Sequence, residues 1–196
     1  MVTSNLDLIT TNSQKQLPRR RFLQLLAAGS ATALSFPTVA SATLKRTYLS
    51  PRELSFNNLH TGEKLTLAYF EKGRYIDSAL KEIDYLLRDH RTDDIHPMDP
   101  NLLNFLYKLQ STLETTKPLD IISGYRSPAT NHALSARSSG VAKKSKHMLG
   151  KAIDIRIENI ESKQIRNAAI SLRQGGVGYY SSSDFVHLDT GNFRYW

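Results

Sequence analysis

The sequence of 196 residues contains no cysteine. Disulfide bonds, lipid-modified cysteines and thiolate metal ligands are therefore excluded, and a folded domain must rely on its apolar core and on ligands of other types. The sequence also lacks a run of about 20 strongly apolar residues, the length that a membrane-spanning helix needs. Lysine and arginine are not clustered among aromatic residues, and Gly175, Gly176 and Gly178 lack the order of a phosphate-binding loop. These absences argue against a membrane-spanning protein and against a nucleic-acid partner.

The N-terminal region has the composition of an export signal. Three arginines at 19–21 precede a moderately apolar stretch at 25–36, and small residues typical of a cleavage site follow at 40–42. The arginine pair followed by x-Phe-Leu is typical of the twin-arginine type. An uncleaved membrane anchor is disfavoured, because glycine, serine, threonine and proline dilute the apolar stretch. We therefore expect the twin-arginine export machinery to carry the chain to the periplasm or cell envelope, with residues 1–42 removed and no stable membrane anchor left on residues 43–196.

Two segments, 145–154 and 184–187, carry the pattern of a metal site. Two imidazoles (His147 and His187) and one carboxylate (Asp154) form the ligand set of a catalytic zinc, which keeps its fourth position open for water. Apolar residues alternate with polar ones around Asp154, which predicts a strand. Apolar residues also surround His187 and predict a second strand. Two neighbouring strands would bring the three side chains together, whereas a polar strand edge with scattered histidine and aspartate is the simpler alternative.

This spacing resembles that of the M15 family of zinc peptidases, the D-alanyl-D-alanine carboxypeptidase and dipeptidase group. Its members share the pattern Ser-x-His-x(6)-Asp, followed downstream by an acidic residue, two others and histidine. The matching positions here are Ser145, His147, Asp154, Asp184 and His187.

Two upstream segments strengthen the resemblance. Residues 123–127 read Ser-Gly-Tyr-Arg-Ser, as in the family. Residues 58–63 are similar to the opening signature of a bacterial branch once catalogued as a domain of unknown function, some members of which are murein endopeptidases. The resemblance covers roughly residues 50 to 196 and implies a single α+β domain of the hedgehog and D-Ala-D-Ala-peptidase type, a small antiparallel sheet flanked by helices.

The resemblance also implies roles for individual residues. One Zn²⁺ would be bound by His147, Asp154 and His187, and Arg126 would stabilise the developing oxyanion. Ser145 would hydrogen-bond the substrate peptide, with Tyr125 as a second substrate-binding residue.

The general base is less clearly indicated. The family has glutamate three residues before the last histidine, whereas this sequence has Asp184, one methylene shorter. Asp189, two residues after His187 and so on the same strand face, is the alternative base, or else a carboxylate that orients His187. Motif position favours Asp184.

The function implied is that of an exported zinc metallopeptidase that hydrolyses peptide bonds in the stem peptides or cross-links of peptidoglycan. A murein endopeptidase fits the branch signature at 58–63, and a D,D-carboxypeptidase is an alternative. Because aspartate replaces glutamate at the base position, a non-catalytic zinc-containing wall-binding module is the alternative from another class. Residues 43–196 hold 22 basic and 17 acidic residues, and this net charge of +5 is compatible with a carboxylate-rich polymer.

Periodicity predicts the elements of the domain. Strands are expected at 54–59, 65–70, 119–123, 152–157, 175–180 and 185–188, and helices at 75–88, from 99 onwards, 127–137 and 161–172. The aromatic residues Phe193, Tyr195 and Trp196 are expected to close the core rather than to bind a sugar. A lone histidine is more typical of a surface or hydrogen-bonding residue than of a ligand, which applies to His60, His90, His96 and His132.

Overall fold

The computed structural model describes residues 50–138 and 140–196. The predicted export signal and its cleavage site after residue 42 lie outside the described residues. None of the helices that the structure describes is long and apolar enough to cross a membrane.

One sheet of eight strands organises the domain. Its strand order is β3-β2-β1-β4-β5-β7-β6-β8, and all neighbours are antiparallel except β1–β4 and β6–β8. The strands are β1 (Arg52–Asn58), β2 (Lys64–Glu71), β3 (Arg74–Tyr75), β4 (Leu119–Ser123), β5 (Ala152–Ile157), β6 (Gly176–Tyr180), β7 (Phe185–Asp189) and β8 (Arg194–Tyr195).

Four α-helices accompany the sheet. They are α1 (Asp77–Leu86), α2 (Pro100–Thr112), α3 (Pro128–Arg137) and α4 (Ser162–Leu172), with short 3₁₀ helices at Lys146–Leu149 and Ser181–Ser183. Two of the α-helices begin in the same way: Asp99 and Ser127 accept a backbone N–H of the first turn, and a proline follows each of them.

The core lies between the sheet and the helices α1, α2 and α4. Apolar residues of β5 and β7 on this side are fully buried: Ile153, Ile155, Val186 and Leu188. They pack with the apolar faces of the three helices, which include Ile83, Leu106 and Ile165. Successive side chains of a strand point to opposite faces, so Asp154 and His187 lie on the face of the sheet away from this core.

The predicted α+β class is confirmed, and every predicted strand and helix is present with bounds that differ by a few residues at most. The sheet is larger than expected and mixed rather than purely antiparallel. Helices α1 and α2 lie in the long connection between β1 and β4, which allows these two strands to run parallel. The two-residue strand β8, which pairs with β6, was not predicted.

Candidate metal centre

Three donor atoms from two strands and one 3₁₀ helix converge at one point. His187 Nδ1 lies 2.8 Å from Asp154 Oδ1 and 3.2 Å from His147 Nε2, and 3.3 Å separates His147 Nε2 from Asp154 Oδ1. Asp154 and His187 are direct partners in the β5–β7 ladder, so strand register brings this pair together. These are the three residues that the sequence predicted as ligands, and together they could hold a metal ion.

Hydrogen bonds of its backbone N–H and of its ring nitrogen Nδ1, the nitrogen that does not face the other donors, set the position of His147. Its Nδ1 lies 2.7 Å from the carbonyl oxygen of Gly124, which can only accept, so Nδ1 carries the proton. Ser145 caps the 3₁₀ helix by accepting the backbone N–H of His147. Gly150 ends this helix at a φ of 63°, where an added Cβ would lie 2.1 Å from the carbonyl oxygen of Pro97. His147 is therefore buried with the lone pair of Nε2 directed at the other two donors.

His187 is held in the complementary tautomer. Its Nε2 lies 3.2 Å from Asp189 Oδ2, and an ionised carboxylate can only accept, so Nε2 is the donor. In the neutral ring Nδ1 then carries the lone pair, so Nδ1 is the nitrogen that could bind a metal ion. Asp189 is in turn fixed by Arg194, whose guanidinium donates to both carboxylate oxygens at 2.6 and 3.1 Å, and by the backbone N–H of Gly191. A histidine ligand oriented by a carboxylate on its other nitrogen is a common arrangement at metal sites.

Charge–charge attraction outweighs the cost of burying these groups. Burial opposes a positive charge on His187, but hydrogen bonds to Asp154 and Asp189 raise its pKa to about 9. Burial likewise opposes a negative charge on Asp154, but the two imidazoles hold its pKa well below the usual range. Without a metal ion, the Asp154 carboxylate is therefore balanced by a protonated imidazole, and a bound cation would replace that proton.

Arg126 lies beside the donors with an unused hydrogen. Its Nη2 donates to Ser123 Oγ at 3.2 Å and to Asp154 Oδ2 at 3.4 Å. Its Nε is buried and has no hydrogen-bond partner among the described residues. Burial lowers the pKa of Arg126, and Asp154 opposes this shift. The guanidinium is thus held beside the donor triad through Nη2, while its buried Nε–H has no acceptor among the described residues.

A cavity of about 230 Å³ opens onto the donors. Besides the three donors, Arg126, Ser145 and Asp189 line it, so these predicted site residues share one space with the triad. Tyr180, Phe185 and Trp196 form an aromatic wall of the same cavity. The ring of Trp196 lies 5.5 Å from that of His187 and is half exposed.

Two predicted site residues lie elsewhere. Asp184 follows a 3₁₀ helix with a φ of 50°, accepts a hydrogen bond from Ser162 at the start of α4, and borders a different surface pocket. Tyr125 stacks on His96 with ring centroids 4.7 Å apart and does not line the cavity. Neither the base role of Asp184 nor the substrate contact of Tyr125 is supported by this geometry, and both stay predictions.

Sequence reasoning missed two residues of the site, Arg194 and Trp196. Arg194 binds Asp189 and lies over the ring of Trp196 at 5.1 Å. Trp196 lines the cavity instead of closing the core, so the expectation for it was wrong. Its backbone N–H and C=O bond to Val177 and Tyr179 of β6, and these pairings depend on contacts that no local pattern reveals.

The fold and the site together define a class: an α+β domain with the donor set of a metal-dependent hydrolase. Comparison with known families agrees. The family model of M15 peptidases described as peptidoglycan L,D-endopeptidase MepK matches residues 46–196, and the chain belongs to this family.

Curated relatives cover nearly the same length. The peptidoglycan L,D-endopeptidase MepK of Escherichia coli K12 is 49% identical over 177 residues, which cover 90% of this chain and 96% of that protein. The probable peptidoglycan L,D-endopeptidase MepK of Haemophilus influenzae is 45% identical over 147 residues, 74% of this chain and 79% of that protein.

Proposed function

We propose that this protein is a peptidoglycan endopeptidase that binds one zinc ion through His147, Asp154 and His187. The observation that carries the proposal is the triangle of donor atoms with edges of 2.8 to 3.3 Å. Tetrahedral zinc with bonds of about 2.0–2.1 Å has ligand–ligand edges of about 3.3–3.4 Å. The triangle fits this geometry with a small expansion. The His147 imidazole directs its Nε2 lone pair inward, and loss of the Nδ1 proton of His187 would supply the second nitrogen ligand.

A bound zinc ion would supply Lewis acidity and lower the pKa of a coordinated water toward neutrality. The protein residues then position the substrate. The Arg126 guanidinium, which lines the cavity, would donate to the scissile carbonyl oxygen, and this bond would strengthen as the oxygen becomes negative. Because Asp154 and Ser123 already hold the guanidinium, little reorganisation is needed. Loss of one such donor costs about 10²–10³ in rate in other hydrolases.

Asp189 is proposed to position His187 rather than to accept a proton. Burial alone would raise its pKa, but the hydrogen bonds from His187 and Arg194 hold it well below the usual range. A carboxylate with such a low pKa is a weak base. This assignment favours the orienting role, the second of the two alternatives that the sequence left open for Asp189.

The substrate class follows from the relatives. They are named peptidoglycan L,D-endopeptidases, so we propose that this chain cleaves an internal peptide bond between an L- and a D-configured centre in stem peptides or cross-links. The cavity of about 230 Å³ suits a short stretch of peptide rather than a folded protein. Action on peptidoglycan agrees with the proposed location in the periplasm or cell envelope.

Digestion of peptidoglycan tests the proposal. Protein comprising residues 43–196 is loaded with zinc and incubated with intact peptidoglycan and with muropeptides, and the products are separated and identified by mass. We expect cross-linked or stem peptides to be cut internally. Free D-alanine as the main product would indicate a D,D-carboxypeptidase. Binding to peptidoglycan without cleavage, in protein that carries zinc, would indicate the wall-binding module.

Export is a separate proposal that rests on the N-terminal sequence. The twin-arginine type of signal depends on the arginine pair, so an Arg19→Lys, Arg20→Lys double variant is expected to leave uncleaved precursor inside the cell. Fractionation and immunoblotting compare it with wild type and with Lys15→Arg, a charge-conserving change outside the pair. Normal export of the double variant would contradict the twin-arginine assignment.

A further inference from the structure

The cavity of the metal centre has an excess of positive side chains. Four cationic residues line it, and the carboxylates that line it are Asp154 and Asp189 alone among the described residues. The cations are Arg126, Lys144, Lys146 and Arg194.

The two arginines and the two lysines differ in how their charges are balanced. Arg194 is paired with Asp189 at 2.6 Å, and Arg126 contacts Asp154 at 3.4 Å. Lys144 and Lys146 form no ion pair or side-chain hydrogen bond with any residue that the structure describes. Both lysines line the cavity, Lys144 as an exposed residue and Lys146 as a half-buried one, and neither charge is balanced by a described carboxylate.

The backbone that carries these lysines is held in place. Asn131 of α3 donates through Nδ2 to the carbonyl oxygens of Ala142 and Lys143. The carbonyl oxygen of Lys146 accepts the backbone N–H of Lys151, and the next residue, His147, belongs to the donor triad. The backbone positions of the two lysines relative to the metal centre are therefore set by the fold, so a ligand has to order only their side chains.

We propose that Lys144 and Lys146 form an anion subsite that binds a free carboxylate of the peptide substrate next to the scissile bond. This inference rests on the proposed function, and it narrows the substrate class to peptides with such a carboxylate near the cleaved bond. The charges of Arg126 and Arg194 are already paired with Asp154 and Asp189. The charges of the two lysines gain a partner only when substrate binds. Ammonium groups at a cavity rim also attract an anionic ligand over about a Debye length.

A binding experiment tests the subsite without requiring turnover. N-acetyl-D-alanine and its amide differ by one negative charge, and Trp196, the single tryptophan of the sequence, lines the same cavity and reports occupancy by its fluorescence. We expect Lys146→Gln and Lys144→Gln each to weaken binding of the acid about tenfold or less, as for partly exposed charge-assisted hydrogen bonds. Neither substitution should change binding of the amide. Lys143→Gln is the matched control, because Lys143 is an exposed neighbour that does not line the cavity.

Kinetics on muropeptides separate this proposal from the proposed function. Coupling of their carboxylates to ammonia with a carbodiimide gives a comparison substrate in which neutral amides replace the carboxylates. The subsite predicts a higher KM with little change in kcat for the lysine variants on native muropeptides, and no difference on amidated ones. Equal binding of acid and amide by the wild type, or an equal loss in Lys143→Gln, would overturn the subsite even in a protein that cleaves peptidoglycan. A wild type that cleaves nothing but discriminates acid from amide would overturn only the proposed function.

Discussion

Asp154 and His187 are cross-strand neighbours whose side chains meet, with Asp154 Oδ1 2.8 Å from His187 Nδ1. The register of β5 and β7 thus determines two of the three donors, and the 3₁₀ helix before β5 supplies the third, His147. Since β5 and β7 are interior strands with core residues on their other face, the rigid part of the fold holds this pair.

Loss of a donor should remove the metal and leave the fold. His147→Ala is expected to bind no zinc, because a site with three protein ligands has none to spare. The domain should still fold, since its apolar core lies on the opposite side of the sheet. Circular dichroism and metal analysis of the same sample check both points. His132→Ala, a change at an exposed histidine of α3, is the control. An unfolded His147→Ala variant would mean that the metal is needed for folding as well.

Substitution of Asp184 and of Asp189, the two candidate carboxylates, should have different effects on zinc binding and activity. Asp184→Asn should retain activity, because its side chain bonds to Ser162 and does not line the cavity. Asp189→Asn should weaken zinc binding about 10- to 100-fold, as substitutions of carboxylates behind histidine ligands do. Zinc titration and cleavage rates are measured for both variants. Inactive Asp184→Asn protein with a full complement of zinc would show that Asp184 is the general base after all.

Stability of the metal-free protein should fall as pH rises. The pKa of His187 is raised to about 9 in the folded protein, above its ordinary 6.5. The stabilisation from its proton is therefore fully present below about pH 6.5 and lost as pH rises through 9. Urea unfolding in the presence of a chelator, at pH 6.5 and at pH 9, measures the change in the free energy of unfolding. A His187→Gln variant should show a smaller decrease, and an equal decrease would contradict this origin.

The position of the Trp196 indole in the cavity wall requires that residue 178 has no side chain. A Cβ on Gly178 would lie 2.7 Å from Trp196 Cε2 and Cζ2, so Gly178→Ala should displace the indole from the cavity wall. We expect a red shift of tryptophan fluorescence and weaker binding of substrate. Gly140→Ala is the control for the fluorescence change, because its added Cβ would contact Ser138 Oγ at an ordinary 3.5 Å and would not meet the indole. An unchanged emission spectrum in Gly178→Ala would contradict the predicted clash.

Local sequence patterns were sufficient to predict the two strands of the metal centre and its three candidate ligands. The alternation around Asp154 and the apolar residues beside His187 predicted strands β5 and β7, and the ligand motif named the three residues that converge. The pairing of β8 with β6 was not predicted, because two residues carry no periodicity and their hydrogen bonds join distant segments. The contribution of Trp196 to the cavity was missed for the same reason.

Motif position and the geometry of the structure point to different carboxylates. Counting along the sequence selects Asp184, but its positive φ and its bond to Ser162 take the side chain away from the donors. Asp189 lies on the strand face of His187, as strand alternation predicts, and Arg194 then engages both of its oxygens. The partnership with Arg194 depends on the turn after β7, for which the sequence offered no signal.

Metal reconstitution tests the central claim most directly. The protein is stripped with a chelator, zinc is added back in measured amounts, and cleavage of peptidoglycan is followed at each step. The account predicts no cleavage by stripped protein, and activity that rises in proportion to zinc up to one ion per chain. It also predicts no recovery in His147→Ala, Asp154→Ala or His187→Ala. Full cleavage by the stripped protein, or recovery in any of the three variants, would contradict it.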